Sequence, residues 1–224
     1  MPRTDYQHSL EEIREDVLYM SEIVLERLRM GLDALETKDE DLAWDVIEGD
    51  HEVNELYLEL EADCIDLLAL QQPVAGDLRF IAASFKIITD LERVADLATN
   101  LGDYTLAAED DVFPDVDVQE IGTAVGEMVE DAMQAYADED IEACYDIADR
   151  DEVVDEMCED ASELVVRDLI EREDVEGEVE VERTMQDVSR LLLTIRDLER
   201  VGDHAVNIAA RTLYMAENDD DLLY

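Results

Sequence analysis

One eleven-residue segment occurs twice in the sequence and restricts the possible folds more than any other feature. Asp90-Leu-Glu-Arg-Val-Ala-Asp-Leu-Ala-Thr-Asn100 returns nearly unchanged as Asp197-Leu-Glu-Arg-Val-Gly-Asp-His-Ala-Val-Asn207, so we predict two copies of one scaffold. Within each copy a Glu, an Asp and an Asn stand four residues apart, and on a helix this spacing lines up their oxygen atoms along one face. These column residues are Glu92, Asp96 and Asn100 in the first copy and Glu199, Asp203 and Asn207 in the second.

Apolar residues recur at helical spacing along most of the chain, and no stretch sustains the alternation of a β-strand, so we predict an all-α protein. Each half reads as three long helices with short connections, which force neighbouring helices to run antiparallel. The predicted architecture is two tandem antiparallel three-helix bundles. The spacing Thr37-x-x-Glu40 predicts a capping box between the first two helices. The predicted helices span residues 6–35, 39–70, 74–108, 116–137, 139–171 and 178–217.

The boundary between the two halves is predicted at Glu109-Asp-Asp-Val-Phe-Pro-Asp115, where a charge run and a proline interrupt the helical pattern. We therefore divide the chain into a first bundle at 1–109, a linker at 110–115 and a second bundle at 116–224. After the last helix, Asn218-Asp-Asp-Asp221 is predicted to be a fraying tail.

The charge balance is extreme, with 64 acidic residues against 16 basic ones and a net charge of -48. Binding to nucleic acid or to anionic lipids depends largely on basic side chains, so we exclude both kinds of partner. Acids spread over the whole length are typical of a halophilic protein in a cytoplasm of molar salt, where the Debye length falls to about 3 Å and self-repulsion is screened. Most acids here are therefore interpreted as a solvated surface.

The remaining composition favours a cytoplasmic protein. Three cysteines, Cys64, Cys144 and Cys158, lie apart in helical patterns without a C-x-x-C spacing, so we expect reduced thiols in a core. No apolar run approaches the ~18 residues of a membrane-spanning helix, and the first residues lack the apolar region of a signal peptide. We expect no direct insertion into a membrane.

The positions of the turns predict which residues face the two columns. Asp50 lies as far before the turn at Pro73 as Asp96 lies after it, so antiparallel helices bring the two to the same level. Asp151 and Asp203 have the same relation to Gly177 in the second half. At ~100° per residue, Asp50 falls at the edge of the apolar stripe of its helix. Asp151 has the same place on its own helix, beside Ile147 and Val154.

A carboxylate at the edge of a buried stripe is costly unless a cation or hydrogen-bond donors meet it. Arg93 and Arg200 could supply the cation as ion pairs, and a bound metal ion is the alternative. Oxygen-only ligand sets suit magnesium, manganese, calcium or iron, and several facing carboxylates could hold more than one ion. His204 is a further nitrogen candidate in the second half, although Leu97 holds its place in the first. The metal hypothesis assigns Asp50, Asn54, Glu92, Asp96 and Asn100 to a first site, and Asp151, Asp155, Glu199, Asp203 and Asn207 to a second.

Catalytic motifs are missing from the sequence. A ferritin-like di-iron oxidase would need Glu-x-x-His on two helices, and the sequence has that spacing only once, at Glu48 and His51. There is no glycine-rich phosphate loop and no paired acid and base in an obvious cleft. The three histidines, His8, His51 and His204, are scattered along the chain. We predict a protein that catalyses no reaction.

Three segments carry a resemblance to a known family. Leu70-Gln-Gln-Pro-Val-Ala-Gly-Asp-Leu-Arg79, the first motif copy and the second copy through Ile208 resemble the PhoU family of phosphate-uptake regulators, and the likeness covers essentially the whole chain. In that family two tandem three-helix bundles bind metal through a Glu/Asp-x-x-x-Asp motif in each repeat. The motif falls on Glu92 with Asp96 and on Glu199 with Asp203. Ala95 departs from the Gly that the family commonly has, and Asn54 stands where the second repeat has Asp155.

The resemblance also implies a function. A member would bind divalent or ferric ions (iron, manganese, magnesium or zinc) in sites for one or more ions. It would act in the cytoplasm as a homodimer that down-regulates high-affinity phosphate uptake when phosphate is plentiful. Its expected partners are a subunit of a phosphate ABC transporter and, as in many bacteria, a membrane sensor kinase. The alternative hypothesis is a helical adaptor or scaffold whose acidic columns pair with arginine and bind no metal.

Overall fold

The protein, in a computed structural model that describes residues 3–70, 73–108, 116–171 and 178–223, consists of six long α-helices and one short 3₁₀-helix. No strand occurs in these ranges, and none of their helices is long and apolar enough to cross a membrane. The predicted all-α fold of six helices is confirmed, with ends close to those predicted. The helices are α1 Arg3–Thr37, α2 Glu40–Leu70, α3 Ala75–Leu106, α4 Val118–Asp138, α5 Ile141–Glu171 and α6 Glu178–Glu217, followed by the 3₁₀-helix Asp221–Leu223.

The helices pack as two antiparallel three-helix bundles, α1–α3 and α4–α6. Each helix buries one apolar stripe, as Val17, Met20 and Val24 do on α1, because residues three and four apart share a face. The two bundles meet where α3 packs against α6 and α1 packs against α4. Buried side chains from both bundles form one continuous apolar core. The contact between α3 and α6 therefore brings the two motif copies together.

The start of α2 differs from the predicted capping box. The hydroxyl of Thr37 donates to the carbonyl oxygen of Asp33 inside α1, and Lys38 takes a left-handed conformation with φ 55°. The side chain of Asp39 accepts the N–H of Leu42 at 3.1 Å and caps α2 instead. The prediction was wrong because α1 continues to Thr37. The Thr37 hydroxyl therefore bonds within the last turn of α1 and does not cap α2.

The predicted fraying tail is also corrected. Asp219 accepts the N–H of Asp221 at 3.1 Å, and the 3₁₀-helix that follows packs against α6. Leu222 lies against the core, which gives this short segment an apolar anchor. The predicted linker, residues 110–115, lies outside the described residues, and the division at that segment stays a prediction.

The three cysteines are free and buried, as predicted. Burial raises the pKa of the Cys64 and Cys158 thiols to about 12 and that of Cys144 to about 11. Because the thiolate is the reactive form, these groups behave as core side chains.

Candidate metal centre

Four carboxylates of the second repeat lie together between α5 and α6. Burial, together with the negative charges of Asp155, Asp203 and Glu199, raises the pKa of Asp151 to about 6. Burial and the charges of Asp155 and Asp203 likewise raise the pKa of Glu199. Like charges within a few ångströms disfavour ionisation of each other, so these shifts place the four acidic groups predicted for this site in one cluster.

Asp151 is the least exposed of the four carboxylates. Its Oδ1 atom is buried and has no hydrogen-bond partner among the described residues. A Cβ placed on Gly202 would lie 3.2 Å from this oxygen, so the glycine allows the carboxylate to approach the backbone of α6. A buried carboxylate oxygen without a donor is costly. The other three carboxylates, Asp155, Glu199 and Asp203, belong to residues with exposed surface, which leaves the cluster open to an ion from solvent.

The first repeat also brings its acids together, but its Asp50 has a hydrogen-bond donor. Burial raises the pKa of Glu92, as do the charges of Asp96 and Asp50, so α2 and α3 meet as the turn positions predict. Asp50, however, accepts a 2.7 Å hydrogen bond from the amide nitrogen of Asn54. Its carboxylate therefore has a donor that Asp151 lacks. Ala95, buried on α3, holds the position of Gly202.

In the described part of the chain, no three acidic, histidine or cysteine side chains converge at the spacing that a metal ion requires. The carboxylates are clustered without converging on one point. Since like charges repel, a cation would have to draw them together. The donor chemistry fits a hard ion, since the second cluster is made of oxygen atoms and one of them is buried without a donor. The assignment of these residues as metal ligands stays a prediction.

Asn100 and Asn207 reach across to the other repeat. The amide nitrogen of Asn100 donates to Asp197 Oδ2 at 3.1 Å, and that of Asn207 donates to Asp90 Oδ1 at 3.5 Å. Both were predicted as ligands within their own columns. The hydrogen bonds give them a second role, because each ties one motif copy to the first residue of the other.

The first aspartate of each motif copy is a polar residue that the sequence reasoning missed. Asp197 is fully buried and accepts a 2.7 Å hydrogen bond from the Tyr104 hydroxyl on α3. Asp90 is buried as well, and its Oδ1 lies 2.9 Å from Nδ1 of His204 on α6. His204, a candidate metal ligand in the sequence analysis, has this ring nitrogen against Asp90 instead. A signal was present in the sequence, since Asp90 stands three residues after Ile87 and four before Val94, at the spacing of one apolar helix face.

The two arginines of the motif do not neutralise the acidic columns. Arg200 approaches Asp197 at 3.8 Å, and Arg196 pairs with the same carboxylate at 2.9 Å. Among the described residues Arg93 makes no ion pair within 4.0 Å. Burial and the charge of Asp50 raise the pKa of Asp96 although Arg200 and Arg93 lower it. The adaptor hypothesis requires ion pairs between these arginines and the column carboxylates, and Arg200 instead lies nearest to Asp197.

Comparison with known proteins identifies relatives over nearly the whole chain. The model of the PhoU domain family matches residues 17–105 and 118–212. A phosphate-specific transport system accessory protein PhoU homolog from Aquifex aeolicus is 33% identical over 94% of this chain and 92% of its own length. PhoU homolog 1 from Methanothermobacter thermautotrophicus is 30% identical over 96% of this chain and 95% of its own length. The crystal structure of PhoU from Pseudomonas aeruginosa superposes with a TM-score of 0.87 at 30% identity, covering 96% of this chain and all of that one.

Proposed function

Because the chain belongs to the PhoU domain family, we propose that it is a non-enzymatic, metal-binding regulator of phosphate transport. Relatives that match nearly end to end are named as accessory proteins of a phosphate-specific transport system. The proposed partner is a subunit of a phosphate ABC transporter, with a sensor kinase as a second partner. The proposed direction is down-regulation of uptake by a cytoplasmic homodimer when phosphate is plentiful.

The metal part of the proposal rests on one observation, the buried Oδ1 of Asp151 that no described donor meets. Asp151, Asp155, Glu199 and Asp203 would hold the ion, which would supply the positive charge that these residues lack. Iron, manganese, magnesium and zinc are the proposed ions, and hard oxygen donors favour the first three. The first cluster would bind more weakly, because Asn54 already donates to Asp50.

Metal analysis of the protein purified in molar KCl tests this proposal. We expect the native chain to retain metal, and we expect Glu199→Ala with Asp203→Ala to lose the share held by the second cluster. The matched control is Glu156→Ala with Asp160→Ala, which removes two exposed acids four residues apart on α5 and should keep the metal. Equal metal content in all three proteins would contradict the assignment.

The regulatory role needs a separate experiment, in a host that lacks its own copy of the gene. We expect this deletion host to take up more radioactive phosphate in phosphate-rich medium than its parent strain does. Expression of the native chain should restore repression of uptake. The Glu199→Ala and Asp203→Ala double variant should fail to repress if metal is needed for regulation. If phosphate uptake were the same with and without the gene, the transport role would be contradicted. The result of the metal analysis would not be affected.

A further inference from the structure

The outward face of α2 exposes a line of large apolar side chains. Trp44 is 52% exposed, Leu58 61% and Ile65 50%. Together with His51 they follow one another at intervals of seven residues. At ~100° per residue this line lies opposite the side that α2 turns to the core. The buried residues on that opposite side are Val46, Val53 and Leu60.

The seven-residue spacing suits a second helix. A strict seven-residue repeat drifts by about 20° per repeat around a straight helix, so it forms a gently left-handed line. A full coiled-coil seam has apolar residues at two positions of each heptad, and this line supplies one of them. From Trp44 to Ile65 the line extends roughly 30 Å at 1.5 Å per residue, and Leu68, 38% exposed, continues it by one turn. A partner helix of about 20 residues would cover it.

The charge around the line selects the kind of helix. The α2 sequence contains no lysine or arginine and is rich in Asp and Glu. Four of these acids stand three or four residues from Trp44 or Leu58, so they border the line on the helix surface. A second copy of α2 would bring the same negative charge, whereas lysine or arginine beside an apolar stripe would complement it. The four bordering acids are Asp41, Glu48, Glu55 and Glu61.

The second repeat contains a natural comparison. On α5, Tyr145 and Val166 hold the positions of Trp44 and Ile65, but Glu159 takes the place of Leu58 and interrupts the line. Two arginines, Arg150 and Arg167, also lie on α5. The two middle helices are thus both strongly acidic. On α2, His51 stands between Trp44 and Leu58, and Leu58 and Ile65 then follow each other where α5 has Glu159 and Val166.

We propose that the outward face of α2, centred on Trp44, Leu58 and Ile65, is a docking surface for a basic amphipathic helix of a partner protein. Trp44 stands at one end of this line, and tryptophan is among the residue types that most often dominate binding energy. The proposal goes beyond the proposed function, because the surface is defined by its chemistry whichever protein carries the helix.

Trp44 is the sole tryptophan of the chain, so its fluorescence reports on this surface directly. The probe is a synthetic 22-residue helical peptide with leucines on one face and lysines on the others, titrated into the full chain in 1 M KCl, where general charge attraction is screened. We expect a blue shift of Trp44 emission. A control peptide with the same residues in an order that has no apolar face should bind at least about tenfold more weakly, a difference of ~1.4 kcal/mol.

Leu58→Glu introduces the residue that α5 has at this position and should weaken the peptide about tenfold or more. The matched control is Val153→Glu, the same kind of change at a 56% exposed valine on α5, and it should leave the affinity unchanged. Both side chains are exposed, and circular dichroism checks that both variants keep their helices. Failure of the peptide to bind, equal affinity for the control peptide or equal loss in both variants would overturn the proposal. Loss of self-association in Leu58→Glu by sedimentation would assign the surface to a second copy and overturn it as well.

Discussion

Asp151 has an unusual position for an acid in so acidic a protein. Most of the 64 acidic side chains can keep their charge in water, whereas Asp151 is held against Gly202 with one oxygen buried. Burial and three neighbouring carboxylates raise its pKa from 3.8 to about 6. A single residue therefore links proton binding, the proposed metal site and the contact between α5 and α6.

The first prediction concerns Asp151→Asn in a chelating buffer. Because the pKa in the folded chain lies above the ordinary value, the folded state binds this proton more tightly than the unfolded state does. The carboxyl group therefore stabilises the fold below about pH 4, and this contribution is lost as the pH rises to about 6. We expect the free energy of unfolding of the native chain, relative to Asp151→Asn, to fall by about 1 kcal/mol over that range, less than in a dry site because solvent screens the group.

Denaturant melts at constant molar KCl measure this difference. The subtraction removes the general effect of acid on the other carboxylates, since both proteins share them. Two stability curves that run parallel between pH 4 and pH 6 would contradict the role given to Asp151. Saturating Mn²⁺ should reverse the trend in the native chain, because a metal ion binds the deprotonated carboxylate.

The second prediction concerns Gly202→Ala. The added Cβ would lie 3.2 Å from Asp151 Oδ1, so the carboxylate has to move by a few tenths of an ångström. We expect Mn²⁺ affinity at the second cluster to fall about tenfold, while the fold changes by less than ~1 kcal/mol since alanine favours helix. Titration calorimetry measures the affinity. The reciprocal change, Ala95→Gly in the first repeat, should not weaken binding, and a tighter second cluster in Gly202→Ala would contradict the prediction.

At the scale of helices, the contact between α3 and α6 depends on buried aspartates. Asp197 is fully buried. It accepts hydrogen bonds from Asn100 and Tyr104 on α3 and pairs with Arg196 on its own helix. Burial and the hydrogen bond to Asp197 raise the pKa of Tyr104 to about 12, so its hydroxyl remains a donor over the physiological range. The two bundles are therefore joined by directional polar contacts as well as by apolar packing.

The third prediction compares Asp197→Ala with Arg200→Ala at fixed salt. Removing the buried acceptor leaves the donors of Asn100 and Tyr104 without their partner, which should cost about 3 kcal/mol of unfolding free energy. Arg200 is half exposed and 3.8 Å from Asp197, so its removal should cost less than about 1 kcal/mol. Denaturant melts decide between the two. A larger loss in Arg200→Ala would restore the hypothesis that arginine pairing supports the acidic residues.

At the scale of the whole molecule, the net charge of -48 makes stability a function of salt. Several of the ion pairs among the described residues, such as Arg29 with Glu130, are largely exposed. Exposed pairs contribute about 1 kcal/mol or less. Repulsion among the remaining acids acts through solvent and is screened by ions.

The fourth prediction follows from that balance. We expect the melting temperature to rise between 0.1 M and 3 M KCl by about 5 °C or more, which for a chain of this size corresponds to roughly 2 kcal/mol. Calorimetric scans measure it. Equal concentrations of NaCl serve as the control, because screening depends on ionic strength and should act alike with either cation. A melting temperature that is indifferent to salt would contradict the interpretation of the acids as a surface adapted to high salt.

Helical periodicity determined much of this protein before any tertiary contact was known. The six helices follow from apolar spacing within each segment, and Asp50 and Asp151 could be placed opposite their columns because a short turn fixes the level of two antiparallel helices. The cap of α2 could not be placed in this way, since Thr37 and Asp39 both had suitable side chains and only the end of α1 decided between them.

The sequence by itself determined which side of each helix is buried and which acids of one repeat share a level. Only the tertiary structure decided which residues of one repeat contact which residues of the other. Asp90 meets His204, and Asp197 meets Asn100 and Tyr104, because α3 and α6 cross with their motif copies in register. The spacing of residues along one helix fixes the angle of a side chain about that helix, and it contains no information on how two separate bundles are rotated against each other.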